Sequence, residues 1–250
     1  MTVWALADLH LSFGVPDKKM DVFGEHWHNH PQKIEKHWRE KISNDDLVLL
    51  PGDISWAKHL EDAIPDLQWI DALPGTKVMI RGNHDFWWHT KSKVLSILPP
   101  SIHIIQNDAF NWNDISIGGA RLWDTDEYSF DNIVHFVEND KVLPLTEKDL
   151  DPKRREHLFE RELQRLKMSL DKLDQNASHR IVMTHYPPIA TDMKDSRASA
   201  LIEKYNVDAV VFGHIHNIYH DLKDLFGMRD NTRYVITSAD YVDFNPVKII

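Results

Sequence analysis

Short apolar runs rich in β-branched residues recur along the whole chain, at residues 3–7, 47–50, 78–80, 102–105, 115–117, 181–183, 209–212, 234–236 and 247–250. Their length and unbroken apolarity suit strands covered on both faces rather than helices. Helix-period segments lie between several of them. Residues 31–42 place Ile34, Trp38 and Ile42 on one stripe, and residues 58–72 do the same with Leu60, Ala63, Ile64, Leu67 and Ile70. Pro65 within the second segment predicts a kink or break there, because proline removes a helix hydrogen bond. Residues 197–205 form a short third helix. Strands alternating with helices predict an α/β fold.

The longest predicted helix runs over about residues 152–175. Its Phe159, Leu163, Leu166, Leu170 and Leu173 are spaced 4, 3, 4 and 3 apart, a two-position seam. About two heptads are too few for a coiled coil, so the helix is expected to lie on the sheet rather than to dimerise. The acidic stretch before it has no clear period. Together they read as an excursion over about residues 122–176, with Trp123, Asp124 and Asp126 placed to cover a site as a lid. No repeat, low-complexity tract or flexible linker interrupts residues 1–250, so a single domain is expected.

Composition removes several classes of function. The chain has no cysteine, which excludes zinc–thiolate sites, iron–sulfur ligation and thiol nucleophiles. No apolar run approaches the ~18 residues of a membrane span. The first residues lack the basic and apolar regions of a signal peptide, and a cytoplasmic location is expected. A formal charge of −10 opposes nucleic acid and anionic membranes as partners. Nothing in the sequence bears on the oligomeric state.

Glycine is scarce, at 9 residues in 250 against an average near ~7%. Three of the nine, Gly52, Gly82 and Gly213, each follow an apolar run and precede Asp53, Asn83-His84 and His214. Asp8-Leu9-His10 follows the first run, Thr184-His185 follows residues 181–183, and His214-Ile215-His216 follows residues 209–212. Ligands of open α/β sheets sit outside the carboxyl ends of the strands, so all five segments would deliver their polar residues to one edge. Carboxylate, amide and imidazole donors without thiolate suit divalent Mn, Fe or Zn. Each fragment alone is weak, since an Asp after a strand is commonly a turn or cap residue. The joint pattern is specific.

These blocks resemble the calcineurin-like metallophosphoesterase superfamily. Its order is Asp-x-His, Gly-Asp, Gly-Asn-His-Asp or Glu, a lone His, and Gly-His-x-His. The chain shows Asp8-Leu9-His10, Gly52-Asp53, Gly82-Asn83-His84-Asp85, His185 and Gly213-His214-Ile215-His216 in that order. The resemblance implies a four-layer α-β-β-α sandwich with a binuclear site at the carboxyl ends of the strands. It also implies that Asp8, His10, Asp53 and His216 hold one metal, and that Asp53 bridges to a second held by Asn83, His185 and His214. Two metals ~3.5–4 Å apart can supply a bridging hydroxide at neutral pH and clamp phosphoryl oxygens. His84 would be the catalytic acid that protonates the leaving oxygen. Two divalent ions, less the charges of Asp8, Asp53 and the hydroxide, leave a local +1 within an acidic chain. Small phosphoesters therefore fit better than polyanions.

The protein serine/threonine phosphatase branch continues its Gly-Asp block with a second Asp followed by Arg. Here the block reads Gly52-Asp53-Ile54-Ser55-Trp56, which disfavours that activity and leaves open what orients His84. The sequence resembles a branch of bacterial predicted phosphohydrolases instead. The expected reaction is hydrolysis of small phosphoesters, leaning to diesters or nucleotide-like substrates. The alternatives are a nuclease of the same superfamily, which needs a basic groove, and a non-catalytic scaffold, which would have lost ligands. Trp56, Trp87 and Trp88 read as packing residues ahead of a stacking platform for a flat group. Arg81 serves either a phosphate oxygen or an ion pair. His26, His28 and His30 read as a solvated loop ahead of a metal site.

Overall fold

The computed structural model describes residues 1–135 and 151–250. Two sheets carry the fold. The first contains β1 (Val3–Ala5), β2 (Leu47–Leu50), β3 (Thr76–Met79), β4 (Ile102–Ile104) and β11 (Val247–Lys248), in the order β11-β1-β2-β3-β4. The second contains β5 (Phe110–Trp112), β6 (Ile115–Ala120), β7 (His179–Thr184), β8 (Ala209–Phe212), β9 (Met228–Arg229) and β10 (Thr232–Ile236), in the order β5-β6-β7-β8-β10-β9. Their inner strands run parallel, and β11, β5 and β9 add antiparallel edges.

Strand alternation sorts the side chains into three cores. Leu47 and Leu49 face the other sheet beside Val3, Ala5, Val78, Ile181, Met183 and Val211. Val48 and Leu50 face outward, onto α1 (His30–Lys41) and α2 (Ile64–Asp71), through Ile34, Trp38, Leu67 and Ile70. On the second sheet, Val182, Val210 and Phe212 face outward onto α4 (Pro152–Leu170) and α5 (Arg197–Ile202). Two helix–sheet cores around one sheet–sheet core make the four-layer α-β-β-α sandwich that the motifs implied. The α4 seam packs on the sheet: Phe159, Leu166, Leu170 and Leu173 are buried there, with Leu163 half-buried against the same core.

The structure departs from the sequence reading in several places. Pro65 does not break a long helix. It occupies the first turn of α2, where its missing N–H has no helical partner to lose, and a separate 3-10 turn over Glu61–Ala63 precedes it. The short α3 (Lys91–Leu95) and the edge strands β5 and β9 were not expected, because so few residues carry no readable period. The expected excursion at 122–176 includes residues 136–150, which lie outside the described residues. Its first part is tied down beside the last motif: Val134 bridges Ile218, and the His135 N–H donates to the Asn217 carbonyl.

The first run does not end where its apolarity does. Leu6 still donates to Leu49 of the first sheet, whereas Ala7 donates to Thr237, just beyond β10 of the second. The chain therefore crosses between the sheets one residue before Asp8. This crossing brings the carboxyl ends of both sheets to one place.

Candidate metal centre

The motif residues occupy loops whose backbones would be unfavourable in isolation. Asp8, His10, Asp53 and His214 all have positive φ, at 60°, 45°, 52° and 73°. Such conformations cost on the order of 1–3 kcal/mol each and persist only where the surroundings impose them. Here the loops hold one another. Asp8 N–H donates to the Gly52 carbonyl and His10 N–H to the Asp53 carbonyl, both at 3.0 Å, and His214 N–H donates to Asp8 Oδ2 at 2.9 Å.

The three glycines are required by close approach. A Cβ on Gly52, where φ is +92°, would lie 2.7 Å from His185 Nδ1 and 2.8 Å from Gly82 Cα. A Cβ on Gly213 would strike the Asp8 carboxylate, and one on Gly82 would strike both the Asp53 carboxylate and its backbone nitrogen. Gly82→Ala is therefore expected to destabilise the chain by about 1–3 kcal/mol through overpacking. It should also weaken metal binding, because the displaced group is Asp53. Thermal melting and metal titration check this; unchanged metal affinity would show that the loops accommodate a methyl group freely.

Between these loops the seven expected ligands converge. His10 Nε2 lies 3.7 Å from Asp53 Oδ2 and 3.3 Å from His216 Nε2, and His216 Nε2 lies 3.9 Å from Asp8 Oδ1. On the other side, His185 Nε2 lies 3.5 Å from Asp53 Oδ2 and 2.5 Å from Asn83 Oδ1, which is 3.2 Å from His214 Nδ1. Two overlapping clusters result, Asp8–His10–His216 and Asp8–Asp53–His185. Asp8 Oδ1, Asp53 Oδ2 and His10 Nδ1 are buried with no hydrogen-bond partner. Buried oxygen lone pairs in this state carry a large desolvation penalty that a cation removes. The donor set thus fits hard or borderline divalent ions.

Burial also governs the protonation of the cluster. It pushes Asp8 up to about 6, and it pushes Asp53 well above the ordinary carboxylate range, with Asp85 and Asp8 adding to the Asp53 shift. Burial, reinforced by neighbouring imidazoles, holds His10 and His185 well below their ordinary value, His214 near 3 and His84 near 4. His216 departs from this trend. Burial pulls it down, but the carboxylates of Asp240, Asp8 and Asp53 hold it at about 9.

His84 is half-buried and opens onto the cluster. Its N–H donates to Asp53 Oδ1 at 2.8 Å, leaving Oδ2 to the ligand side. Its ring packs 4.7 Å from Trp56 and 5.6 Å from His10, with Phe86 at 6.2 Å edge-on. Asp85 does not orient it. The Asp85 carboxylate instead accepts from the N–H groups of Gly82, Ile54 and Ser55 and from the Trp87 indole, so it clamps the two ligand loops together. Trp87 and Trp88 are buried in the core, as the packing reading expects. Trp56 differs: it stacks on His10 at 5.0 Å and remains partly exposed.

Two residues near the cluster, Asp240 and His30, escaped the sequence reading or changed role. Asp240, just beyond β10, accepts from His216 Nδ1 at 2.8 Å and so fixes which ring nitrogen faces the cluster. No spacing signals it, because Ser238-Ala239-Asp240 matches none of the motif blocks. His185 is fixed similarly, its Nδ1 lying 3.0 Å from the Pro51 carbonyl. His30 is buried, and its ring nitrogens lie 3.1 Å from the Leu9 carbonyl and 3.2 Å from that of Trp27, so it buttresses the first ligand loop. His28 is exposed and faces Asp21, and the alternating histidines form no metal cluster among the described residues.

No helix among the described residues is long and apolar enough to cross a membrane. Among known proteins, the gene 66 proteins of Mycobacterium phages D29 and L5 are 31% and 32% identical over 83 and 84 residues. Each match takes in 33% of this chain, and the chain spans only 40% and 39% of the length of these relatives. A phosphopantetheinyl hydrolase (PptH) from Mycobacterium tuberculosis has a similar fold, with a TM-score of 0.57 over 100% of this chain and 95% of that one at 15% identity. A protein of unknown function from Aquifex aeolicus, AQ665, matches with a TM-score of 0.48 over 99% and 95% of the two chains, also at 15% identity. The model of the calcineurin-like phosphoesterases matches residues 1–217, a span that contains all seven expected ligands and His84, and the chain belongs to that family of metal-dependent phosphoester hydrolases.

Proposed function

We propose that this protein hydrolyses small phosphoesters with two divalent ions, Mn, Fe or Zn, and that its substrates lean to diesters and nucleotide-like compounds. One observation carries the reading. The Asp53 Oδ2, buried without a hydrogen-bond partner, lies between two imidazoles, 3.7 Å from His10 Nε2 and 3.5 Å from His185 Nε2, beside the Asp8 carboxylate that the two ligand clusters share. Asp8, His10, Asp53 and His216 would hold one ion, and Asp53, Asn83, His185 and His214 the other. Bound there, the pair would lower the pKa of a water and draw charge from the phosphoryl oxygens. Asp240 and the Pro51 carbonyl keep His216 and His185 in fixed orientations. His84, which burial leaves neutral, would take up a proton beside the anionic substrate on the cluster's open side and deliver it to the leaving oxygen.

The leaving group would then lie on the His84 side, where Trp56 is partly exposed and Phe86 is 54% exposed. These faces suit a flat group, since stacking on an aromatic side chain contributes ~1–3 kcal/mol per base. Hydrolysis of para-nitrophenyl phosphate and bis(para-nitrophenyl) phosphate should be abolished by a chelator and restored by Mn²⁺. Phe86→Ala should raise KM about tenfold for aryl esters and leave alkyl esters unchanged. A folded chain that turns over neither ester with Mn, Fe or Zn would refute the reading.

A further inference from the structure

The flank of the cleft opposite Trp56 has a different character. Arg81 lies two residues past the end of β3 and precedes Gly82-Asn83, and Arg121 follows β6 directly, its carbonyl accepting from the N–H groups of His185 and Tyr186. Arg121 is therefore anchored to the strand end that delivers a proposed ligand. Its guanidinium lies over Trp123 at 4.5 Å; Trp123 packs on Tyr186, and Tyr186 lies 4.0 Å from His214. Arg121 lies close enough to Arg81, His185 and His214 to lower the pKa of each, though burial is the larger cause for all three.

Charge on this flank is unbalanced. Glu162 of α4 is buried and takes Arg121 at 3.1 Å, Arg161 at 3.1 Å and Arg165 at 2.7 Å, all through the same carboxylate oxygen. One carboxylate thus serves three guanidinium groups. Arg81 has no hydrogen bond or ion pair among the described residues, and its Nε is buried without a partner. Asp85, the other nearby carboxylate, is already occupied by four N–H donors. A half-buried guanidinium without an acceptor, beside others of like charge, is costly in a chain whose net charge is −10. A planar fork of donors matches the oxygens of a phosphoryl group.

We propose that Arg81, backed by Arg121, forms a subsite for a second phosphoryl group of the substrate, beside the metal centre on the Asn83–His185 side. This rests on the metal-centre reading above and narrows its substrates to compounds with two phosphoryl groups, one cleaved at the metals and one held by Arg81. The cleft is then polarised, with an aromatic leaving group toward Trp56 and Phe86 and the second anion toward Arg81.

The test uses two non-hydrolysable probes on the Mn²⁺-loaded full chain, measured by calorimetry. Methylphosphonate carries one phosphoryl group and methylenediphosphonate two. The wild type should bind the second probe at least about tenfold tighter, the factor expected of charge-assisted hydrogen bonds. Arg81→Gln should erase most of that preference and leave methylphosphonate within about twofold, and Arg81→Lys should restore part of it. Comparison of wild type with variant cancels any Mn²⁺ binding by the free probe. The proposal is overturned if the wild type shows no preference, if Arg81→Gln retains it, or if both probes weaken equally. Because binding is read without turnover, absence of hydrolysis would count against the catalytic reading and leave this ratio interpretable. Arg81 has no protein partner to lose, so the Gln variant should melt with the wild type.

Discussion

Asp53→Asn should lower kcat/KM by about a thousandfold or more, equivalent to roughly 4 kcal/mol of transition-state stabilisation. The substitution preserves shape and leaves an oxygen able to accept from His84 N–H, but it removes the negative charge that lies between His10 Nε2 and His185 Nε2. Outer-shell changes at metal sites already cost ~10–100-fold, and loss of a shared carboxylate should exceed that. The same variant should behave differently under chelation. Burial, with Asp85 and Asp8, holds the Asp53 carboxyl well above its ordinary 3.8 in the fold. An acid so raised makes folding less favourable as pH climbs from the unfolded value through the folded one. Asp53→Asn lacks that penalty, so the chelated variant should match the wild type near pH 3 and melt higher at neutral pH. Mn²⁺ should raise the melting temperature of the wild type far more than that of the variant. If the chelated variant melts well below the wild type at neutral pH, Asp53 serves the fold rather than a metal.

His84→Gln should separate rate from metal. The ring contacts Trp56, His10 and Phe86 and has no acceptor among the described residues, so its removal disturbs packing on one open face only. Metal affinity and the Mn²⁺-dependent rise in melting temperature should persist, and kcat should fall about 10²–10⁴-fold, the range of general acid catalysis. The loss should be smallest for aryl esters, whose leaving oxygen needs little protonation, and largest for alkyl esters. An equal loss on both would assign His84 to substrate positioning instead of proton delivery.

Much of the fold was legible because strands and helices announce themselves through period. The doubly apolar runs at 47–50, 181–183 and 209–212 became inner strands of two stacked sheets, and the Phe159–Leu170 seam became the face of α4 on the second sheet, with Leu173 packing from the turn after the helix. Segments of two to five residues, such as β5, β9 and α3, carried too few residues for a period to show. Pro65 was misread because proline has opposite effects inside a helix and at its first turn, and the boundary of α2 was what remained undetermined.

The sequence by itself determined the candidate ligand types and their order, since residue chemistry is local: carboxylates, one amide and imidazoles, each at the end of an apolar run, three of them behind scarce glycines. It could not determine which groups hold those ligands still. Asp240 reaches His216 across 24 residues, Asp85 joins loops 30 residues apart, and Arg121 meets Glu162 across 41. Those pairings arise only when Ala7 crosses from one sheet to the other and closes the cleft. Hydrogen bonds and charges act through space over a few ångströms, so a motif can name the atoms that bind, but only packing decides what orients them and which flank is left with an unpaired guanidinium.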